Sequence, residues 1–331
     1  KYNIVNKNSG LSSGEIMKVW SLGDAVVDLI PLQNMQYEAC AGGAPVNVAA
    51  GVAKLGQQSG FIGRVGEDAF GHFMQKTLFD LGVDTSTMEF DELHRTSTVL
   101  VSLQENGERD FTFLVADSAD QFLTNKSLPV FEKDILHFCS LALVNPICRS
   151  TLDSAISKVK NSDSLLSFDI NLRPQMWRDH EEMRAIIDEY AHKADILKLS
   201  EDELTWMTQE ITLENALKKL ADYPARLKVI TQGSKGCLVL TPTTQVALSA
   251  FTVNCVDTTG AGDAFMSGLL AAVAEYGFAD DEQYLLKIIT QAAACGALAT
   301  TKKGAIAAAP SRKVLREFVN KQPPLHVRDI F

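Results

Sequence analysis

Short apolar runs alternate along most of the chain with longer segments whose apolar residues recur at helical spacing. The pattern predicts strands at 18–23, 59–65, 134–139, 164–169 and 195–199, and helices at 45–55, 69–81, 150–159, 181–191 and from 201 onward. Pro45 suits a first helical turn, and Gly56 and Gly82 suit helix C-terminal caps. We therefore predict a Rossmann-like α/β fold, with a mostly parallel sheet covered by helices on both faces.

One region departs from this alternation. Between Thr96 and Val115, apolar residues occupy every second position around Asn106-Gly107, a dipeptide typical of hairpin turns. Because two strands alone are unstable in water, we expect the hairpin to join extended chain near 31–40 in a small separate sheet. This sheet would act as a lid, a dimer surface or both. A plain edge extension of the main sheet is an alternative that the pattern leaves open.

The C-terminal third predicts a strand, turn and strand, followed by two long helices rich in alanine. The first strand covers 227–232, the turn 233–236 and the second strand 237–240. The helices cover about 260–276 and 281–300.

The length of 331 residues suits about two domains, or one large domain with an inserted subdomain. We predict one domain over 17–320, with lid segments at about 30–41 and 95–116. Residues 1–16 are polar and lack the apolar stretch of a secretion signal, so we expect a disordered leader or a cloning remnant. Residues 321–331 are expected to form a C-terminal tail.

Charge and cysteine usage narrow the classes of partner. Thirty-one Lys and Arg residues against 41 Asp and Glu residues give a net charge of −10, which argues against nucleic acid or an acidic membrane as a partner. The six cysteines include no C-x-x-C pair and no metal-ligand spacing, as expected for reduced thiols. The longest apolar stretch, around 264–274, is too short to span a bilayer. We expect a cytoplasmic protein with a small neutral substrate.

The strongest chemical pattern is V-D-T-T-G-A-G-D-A-F at 256–265, between an extended run and a long apolar helix. Gly260, Ala261 and Gly262 would present backbone N–H groups to an anion at the helix N-terminus. Asp263, in the first turn, could accept a proton from a hydroxyl while those amides hold a phosphoryl group. A tight glycine turn capped by a threonine would explain the same residues without catalysis, and spacing alone does not decide between the two readings.

This segment, together with A-G-G-A-P-V-N at 41–47, resembles the two signatures of the ribokinase-like (PfkB) carbohydrate kinase family. The resemblance runs from about Lys18 to about Pro310. It includes G-D-A-V-V-D at 23–28, D-I-N-L-R at 169–173 and T-Q-G-S-K-G at 231–236. Within the family, the chain is most similar to bacterial fructokinases, with aminoimidazole riboside kinases next.

The resemblance implies an ATP- and Mg²⁺-dependent kinase that converts D-fructose to fructose 6-phosphate by direct in-line transfer. Asp263 matches the family's catalytic base, and Gly260, Ala261 and Gly262 match its anion hole. Arg173 is a candidate clamp for the phosphates, although a surface ion pair would explain it equally well. The alternatives are a kinase of aminoimidazole riboside, ribose or 2-keto-3-deoxygluconate, and a sugar-sensing binding protein without turnover.

The resemblance also implies sites for sugar and nucleotide. The expected sugar ligands are Asp24, Asp28, Gly42, Gly43 and Asn47. Without the resemblance, Asp24 would be read as a turn residue and Asn47 as a helix-surface residue. The expected residues for ATP and Mg²⁺ are Lys198, Glu203, Thr231, Gly233 and Gly236. Ser200 stands where the family's N-x-x-E motif has asparagine, and Ala293 stands where some relatives carry an asparagine near adenine.

The resemblance also implies a site for a monovalent cation such as K⁺ next to the anion hole. The matching positions are Asp257, Thr259, Ala299, Lys302 and Gly304. Ala308 stands where a serine oxygen is expected, which departs from the cation-binding pattern. The lid further predicts a homodimer joined through its sheets.

Overall fold

The computed structural model describes residues 17–103, 109–278 and 282–330. The strands are β1 (Val19–Leu22), β2 (Val26–Pro31), β3 (Tyr37–Gly42), β4 (Ser59–Gly66), β5 (Met88–Asp91), β6 (Ser97–Leu103), β7 (Arg109–Phe113), β8 (Ile135–Cys139), β9 (Leu165–Asp169), β10 (Ile196–Ser200), β11 (Leu227–Thr231), β12 (Cys237–Leu240), β13 (Gln245–Leu248) and β14 (Val327–Asp329). The helices are α1 (Ala44–Lys54), α2 (Ala69–Asp80), α3 (Pro146–Lys160), α4 (His180–Ala191), α5 (Glu201–Thr208), α6 (Leu213–Ala221), α7 (Ala261–Tyr276), α8 (Glu282–Ala299), α9 (Ala305–Ala308) and α10 (Arg312–Lys321).

The main sheet has the strand order β14-β13-β12-β11-β10-β9-β8-β1-β4-β5. The strands from β11 to β5 in this order run parallel, while β12, β13 and β14 pair antiparallel at the other end. Helices cover both faces. On one face Phe138 and Phe168 stack with ring centroids 4.4 Å apart, and on the other Ile135 packs with apolar residues of α7 and α8. The expected α/β fold is therefore confirmed.

A separate small sheet has the order β3-β2-β6-β7. β2 pairs antiparallel with β3 and parallel with β6, so the alternative of a plain edge extension is wrong. The first lid segment begins at Val26, before the expected 30–41, because β2 starts two residues after Asp24. The turn expected at Asn106-Gly107 lies outside the described residues.

Several local features differ from the sequence expectations, and three of them are as follows. α3 begins at Pro146, ahead of the expected 150, because the Asn145 side chain caps it by accepting a hydrogen bond from the N–H of Ile147. β13 was not expected, because its four residues show no distinctive periodicity. The segment expected as a tail, 321–331, contributes β14, which pairs antiparallel with β13.

Candidate active site

The candidate site lies where the carboxyl ends of the central parallel strands meet the start of α7. Gly23 and Asp24 follow β1, Asp169 ends β9 and Ser200 ends β10, all at one edge of the sheet. In open α/β sheets this edge is where ligands bind. Segments that are far apart in the chain therefore place polar side chains at the same edge of the main sheet.

Asp263 occupies the first turn of α7, after Gly260 in the left-handed conformation. The Asn47 side chain reaches it from α1, and Asn47 Nδ2 donates a hydrogen bond of 2.8 Å to Asp263 Oδ2. Burial raises the pKa of Asp263, while Asn47, Lys198 and Arg173 oppose that rise. A carboxylate with a raised pKa is a stronger base, so this environment suits proton abstraction.

The start of α7 is the predicted anion hole, and two of its three residues have contacts that the sequence does not show. The N–H of Ala261 donates to Thr258 O at 3.2 Å, so this amide is already engaged. Gly260 passes close to α9, because a Cβ on it would lie 2.6 Å from the Ala305 Cβ. The glycine is therefore needed for packing as well as for the turn. The amides that follow in the first turn carry the positive end of the helix dipole.

Lys198 faces this helix start from β10. Its Nζ bonds both carboxylate oxygens of Asp169 at 2.9 and 3.0 Å, and the two residues are 6% and 1% exposed. A Cβ added to Gly262 would lie 3.3 Å from this Nζ. Burial alone would lower the pKa of Lys198, but nearby carboxylates, chiefly Asp169, raise it, so the ammonium stays charged. The sequence reasoning assigned Lys198 to the cofactor site but missed Asp169 as its partner.

Two consecutive glycines pack against the expected sugar-binding carboxylates. A Cβ on Gly42 would lie 2.6 Å from Asp28 Oδ2, and a Cβ on Gly43 would lie 3.0 Å from Asp24 Oδ2. Gly43 also has a φ of +100°, which favours glycine. Asp28 lies within β2 of the lid rather than at the end of the first strand, so the lid itself carries one of the carboxylates.

A third carboxylate, Asp120, joins this group and was not expected from sequence. It lies in a 3₁₀ turn, Ala119–Phe122, that follows the lid. Burial and the neighbouring Asp120 raise the pKa of Asp24 to about 7. Burial likewise raises the pKa of Asp120 to about 6. An acidic residue just after the hairpin was the only sequence signal for it.

Glu203 organises the loop that carries Arg173. Its carboxylate accepts hydrogen bonds from the N–H of Ser200 and of Leu172, each at 2.7 Å, and Ser200 caps α5 in return. Ser200, which replaces the family's asparagine, is thus half of a capping box. Arg173 is exposed, and its charge opposes the rise in the pKa of both Asp24 and Asp263.

These contacts bear on where Mg²⁺ could bind. Within the described ranges, no group of three or more His, Cys, Asp or Glu residues could hold a metal ion. Mg²⁺ usually keeps several waters and binds through one or two carboxylates plus substrate phosphates. Glu203 fits that role only through its remaining lone pairs or through water.

The expected nucleotide residues lie further along the same edge. Thr231 ends β11 and is in register with Ser200 of β10. Gly233 has a φ of +58° in the turn that follows. A Cβ on Gly236 would lie 1.9 Å from Leu248 O, so close packing against β13 explains this glycine without a nucleotide. No contact that joins these three residues to Asp263 was found among the described residues.

Three of the five expected cation residues, Asp257, Thr259 and Gly304, contact one another just before α7 and α9. Asp257 Oδ1 accepts from the N–H and Oγ1 of Thr259, at 3.0 and 2.7 Å, and Asp257 Oδ2 accepts from the N–H of Gly304 at 3.2 Å. Ala299 is fully buried and Lys302 is exposed. Oxygen-rich loops that are tied together in this way fit a monovalent cation, which would stiffen the start of α7.

The sequence pattern of the pfkB family carbohydrate kinases matches residues 17–312. The chain belongs to the pfkB family. It is 44% identical over 300 residues to the fructokinase of Escherichia coli, covering 90% of this chain and 98% of that protein. It is 36% identical over 304 residues to the aminoimidazole riboside kinase of Salmonella typhimurium, covering 92% and 95%.

Solved structures give the same placement in the pfkB family. A crystal structure of a fructokinase double mutant from Vibrio cholerae O395, in a form with fructose, ADP and potassium ion bound, has a TM-score of 0.88 and 45% identity. The match covers 93% of this chain and 100% of the chain in that structure. Aminoimidazole riboside kinase from Salmonella enterica, complexed with aminoimidazole riboside and an ATP analogue, has a TM-score of 0.85 and 34% identity, covering 92% and 100%. The resemblance inferred from sequence is confirmed.

Among the described residues, no helix is both long enough and apolar enough to cross a membrane.

Proposed function

We propose that this protein is a fructokinase that transfers the γ-phosphoryl group of ATP to D-fructose and forms fructose 6-phosphate. The observation that carries the proposal is the buried Asp263 carboxylate, held by Asn47 at the start of α7 and flanked by a charged lysine. The relatives support the sugar, since the curated protein from Escherichia coli and the Vibrio cholerae structure are both fructokinases.

The reaction follows from these positions. Asp263 accepts the proton of the sugar's primary hydroxyl as that oxygen attacks the γ-phosphorus. A new P–O bond to the sugar forms, and the bond between the γ-phosphorus and the leaving ADP oxygen breaks. Asn47 holds the carboxylate in position while the proton moves, because its amide donates a hydrogen bond to Asp263 Oδ2.

Charge on the transferring group is balanced by fixed positive groups. The Lys198 ammonium lies close to Gly262, in the first turn of α7, and so close to the amides of that turn. Because these groups are already oriented, they need little reorganisation as charge develops. Mg²⁺, when bound with ATP, neutralises phosphate charge. Arg173 supplies a further guanidinium near Asp24 and Asp263, where a planar donor can bind two phosphate oxygens.

The remaining ligand sites belong to the same proposal. Thr231, Gly233 and Gly236 would line the nucleotide site, and Asp257 with its neighbouring loops would hold K⁺. The potassium ion named for the Vibrio cholerae fructokinase structure supports the cation. Asp24, Asp28 and Asn47 would accept and donate hydrogen bonds to the sugar, with Gly42 and Gly43 allowing close approach.

We further propose a single kinase domain over 17–320, a homodimer joined through the lid, and action in the cytoplasm. Phe111 and Phe113 on the lid are 50% and 38% exposed, and a second lid sheet would cover them. All six cysteines are unpaired, which is usual in a reducing compartment, and ATP is available there.

The test is ATP turnover against a panel of fructose, ribose, aminoimidazole riboside and 2-keto-3-deoxygluconate. The proposal expects the highest kcat/KM with fructose. A higher value with aminoimidazole riboside would favour the second candidate, which the relative at 36% identity supports. Sugar binding without ADP release would instead indicate a sugar-sensing protein.

A further inference from the structure

Three oxygens of the candidate site are buried yet lack a hydrogen-bond partner in the described part of the chain. They are Asp24 Oδ1, Asn47 Oδ1 and Asp120 Oδ1. A buried polar atom without a partner costs about 1–3 kcal/mol, so folded proteins keep few of them. All three are acceptors, and a ligand with several hydroxyl donors would satisfy them.

Asp120 acts on the same group of residues, and its Oδ1, like Asp24 Oδ1, is buried without a partner among the described residues. It is the neighbouring charge with the largest influence on Asp24, ahead of Arg173 and Asp263. Two carboxylates held close together away from water repel each other, and the fold gains no stability from the pair. A function that uses both carboxylates would explain why the fold tolerates them.

The chain holds Asp120 firmly in this position. The N–H of Ala119 donates to Arg95 O at 2.8 Å, at the foot of the lid. On the other side, Thr151 Oγ1 donates to Leu123 O at 2.7 Å, and the Leu123 side chain is fully buried. The 3₁₀ turn is thus anchored before and after Asp120. A residue that discriminates between ligands needs a fixed position, and these hydrogen bonds supply it for Asp120.

We propose that Asp120 is a sugar-binding residue that accepts hydrogen bonds from substrate hydroxyls together with Asp24, and that it selects neutral sugars over sugar acids. The inference rests on the proposed function and deepens it. A neutral polyhydroxy substrate supplies donors to the unpaired oxygens. A substrate that carries a carboxylate, such as 2-keto-3-deoxygluconate, would be repelled by the carboxylates of Asp24, Asp28 and Asp120.

The test compares steady-state kinetics of the wild type with Asp120→Asn, Asp120→Ala and the control Asp117→Asn. Asp117 is exposed and lies three residues earlier in the same connection. We expect KM for fructose to rise about tenfold to a hundredfold in Asp120→Ala and by less in Asp120→Asn, since one hydrogen-bond acceptor remains there. KM for ATP should change by less than about twofold in both, which also shows that the variants are folded.

A structural role alone would not change substrate preference, so the ratio of kcat/KM for 2-keto-3-deoxygluconate to that for fructose is the second readout. We expect this ratio to rise about tenfold in Asp120→Asn and to stay unchanged in Asp117→Asn. Fructose turnover by the wild type with an unchanged KM in both Asp120 variants would overturn this inference alone. Absence of turnover by the wild type with any neutral sugar of the panel would overturn the proposed function itself.

Discussion

Replacement of Asp24 by Asn should stabilise the sugar-free protein at pH 8, although it should weaken sugar binding. Asp24 is 6% exposed, and burial together with Asp120 raises its pKa to about 7. The folded protein therefore binds this proton more tightly than the unfolded chain does. Its stability contribution is fully present below about pH 4 and is lost as the pH rises to about 7.

The magnitude follows from the two pKa values. A carboxyl group that titrates at 3.8 when unfolded and at about 7 when folded destabilises the native state by about 4 kcal/mol once it is ionised. Asn has nearly the same shape and carries no charge, but its amide group is also buried and needs partners. We therefore expect Asp24→Asn to recover about 1–3 kcal/mol at pH 8, which is less than the full penalty.

Urea unfolding at pH 5 and pH 8, without sugar, measures this effect. At pH 5 Asp24 is largely protonated in the folded state, so the variant and the wild type should differ much less than at pH 8. Asp163→Asn is the control, because Asp163 is exposed in a turn far from the site in the fold. A variant that is less stable than the wild type at pH 8, or a difference that is the same at both pH values, would refute the reasoning.

Three further changes test the site and the lid. Asp263→Asn should lower kcat by at least about 100-fold and leave fructose affinity nearly unchanged in calorimetry, and a kcat near that of the wild type would remove Asp263 as the base. Lys198→Met should lower kcat about tenfold or more and destabilise the protein in urea by about 3–5 kcal/mol, because Asp169 keeps a buried charge without its partner; an unchanged kcat would show that the ammonium does not act on the phosphoryl group. Phe113→Lys should release monomers in light scattering and raise KM for fructose, whereas Thr112→Lys on the opposite lid face should do neither; a monomeric wild type would contradict the dimer.

The main sheet was predictable from sequence because its central strands are short apolar runs, most of which are followed by a helix. The periodicity of apolar residues shows where strands lie but not which strands pair with one another. The chain leaves the main sheet after β1, and β2 carries Asp28 into the lid, which periodicity alone does not show. The four-residue β13 forms because it pairs with β12, and the three-residue β14 forms because it pairs with β13.

The candidate site was predictable where the chain carries a local signature. Asp263, Asn47, Gly42 and Gly43 lie in the two family motifs, and all of them make close contacts in the structure. Asp120 lies outside both motifs, and only the folded chain brings it beside Asp24.

The pair of Asp169 and Lys198 shows the same limit. Each residue ends or nearly ends a parallel strand, and neighbouring register places them opposite each other. The sequence shows the two strands but not their order in the sheet, so the partner of the lysine could not be identified before the topology was known.

The central claim is that this site transfers phosphate from ATP to the primary hydroxyl of fructose. Phosphorus NMR of a reaction with the purified protein, Mg²⁺, ATP and fructose tests it most directly, with Asp263→Asn as the control. The account predicts fructose 6-phosphate and ADP in equal amounts from the wild type and at least about 100-fold slower formation by the variant. Consumption of ATP without a phosphorylated sugar, or equal rates from both proteins, would contradict it.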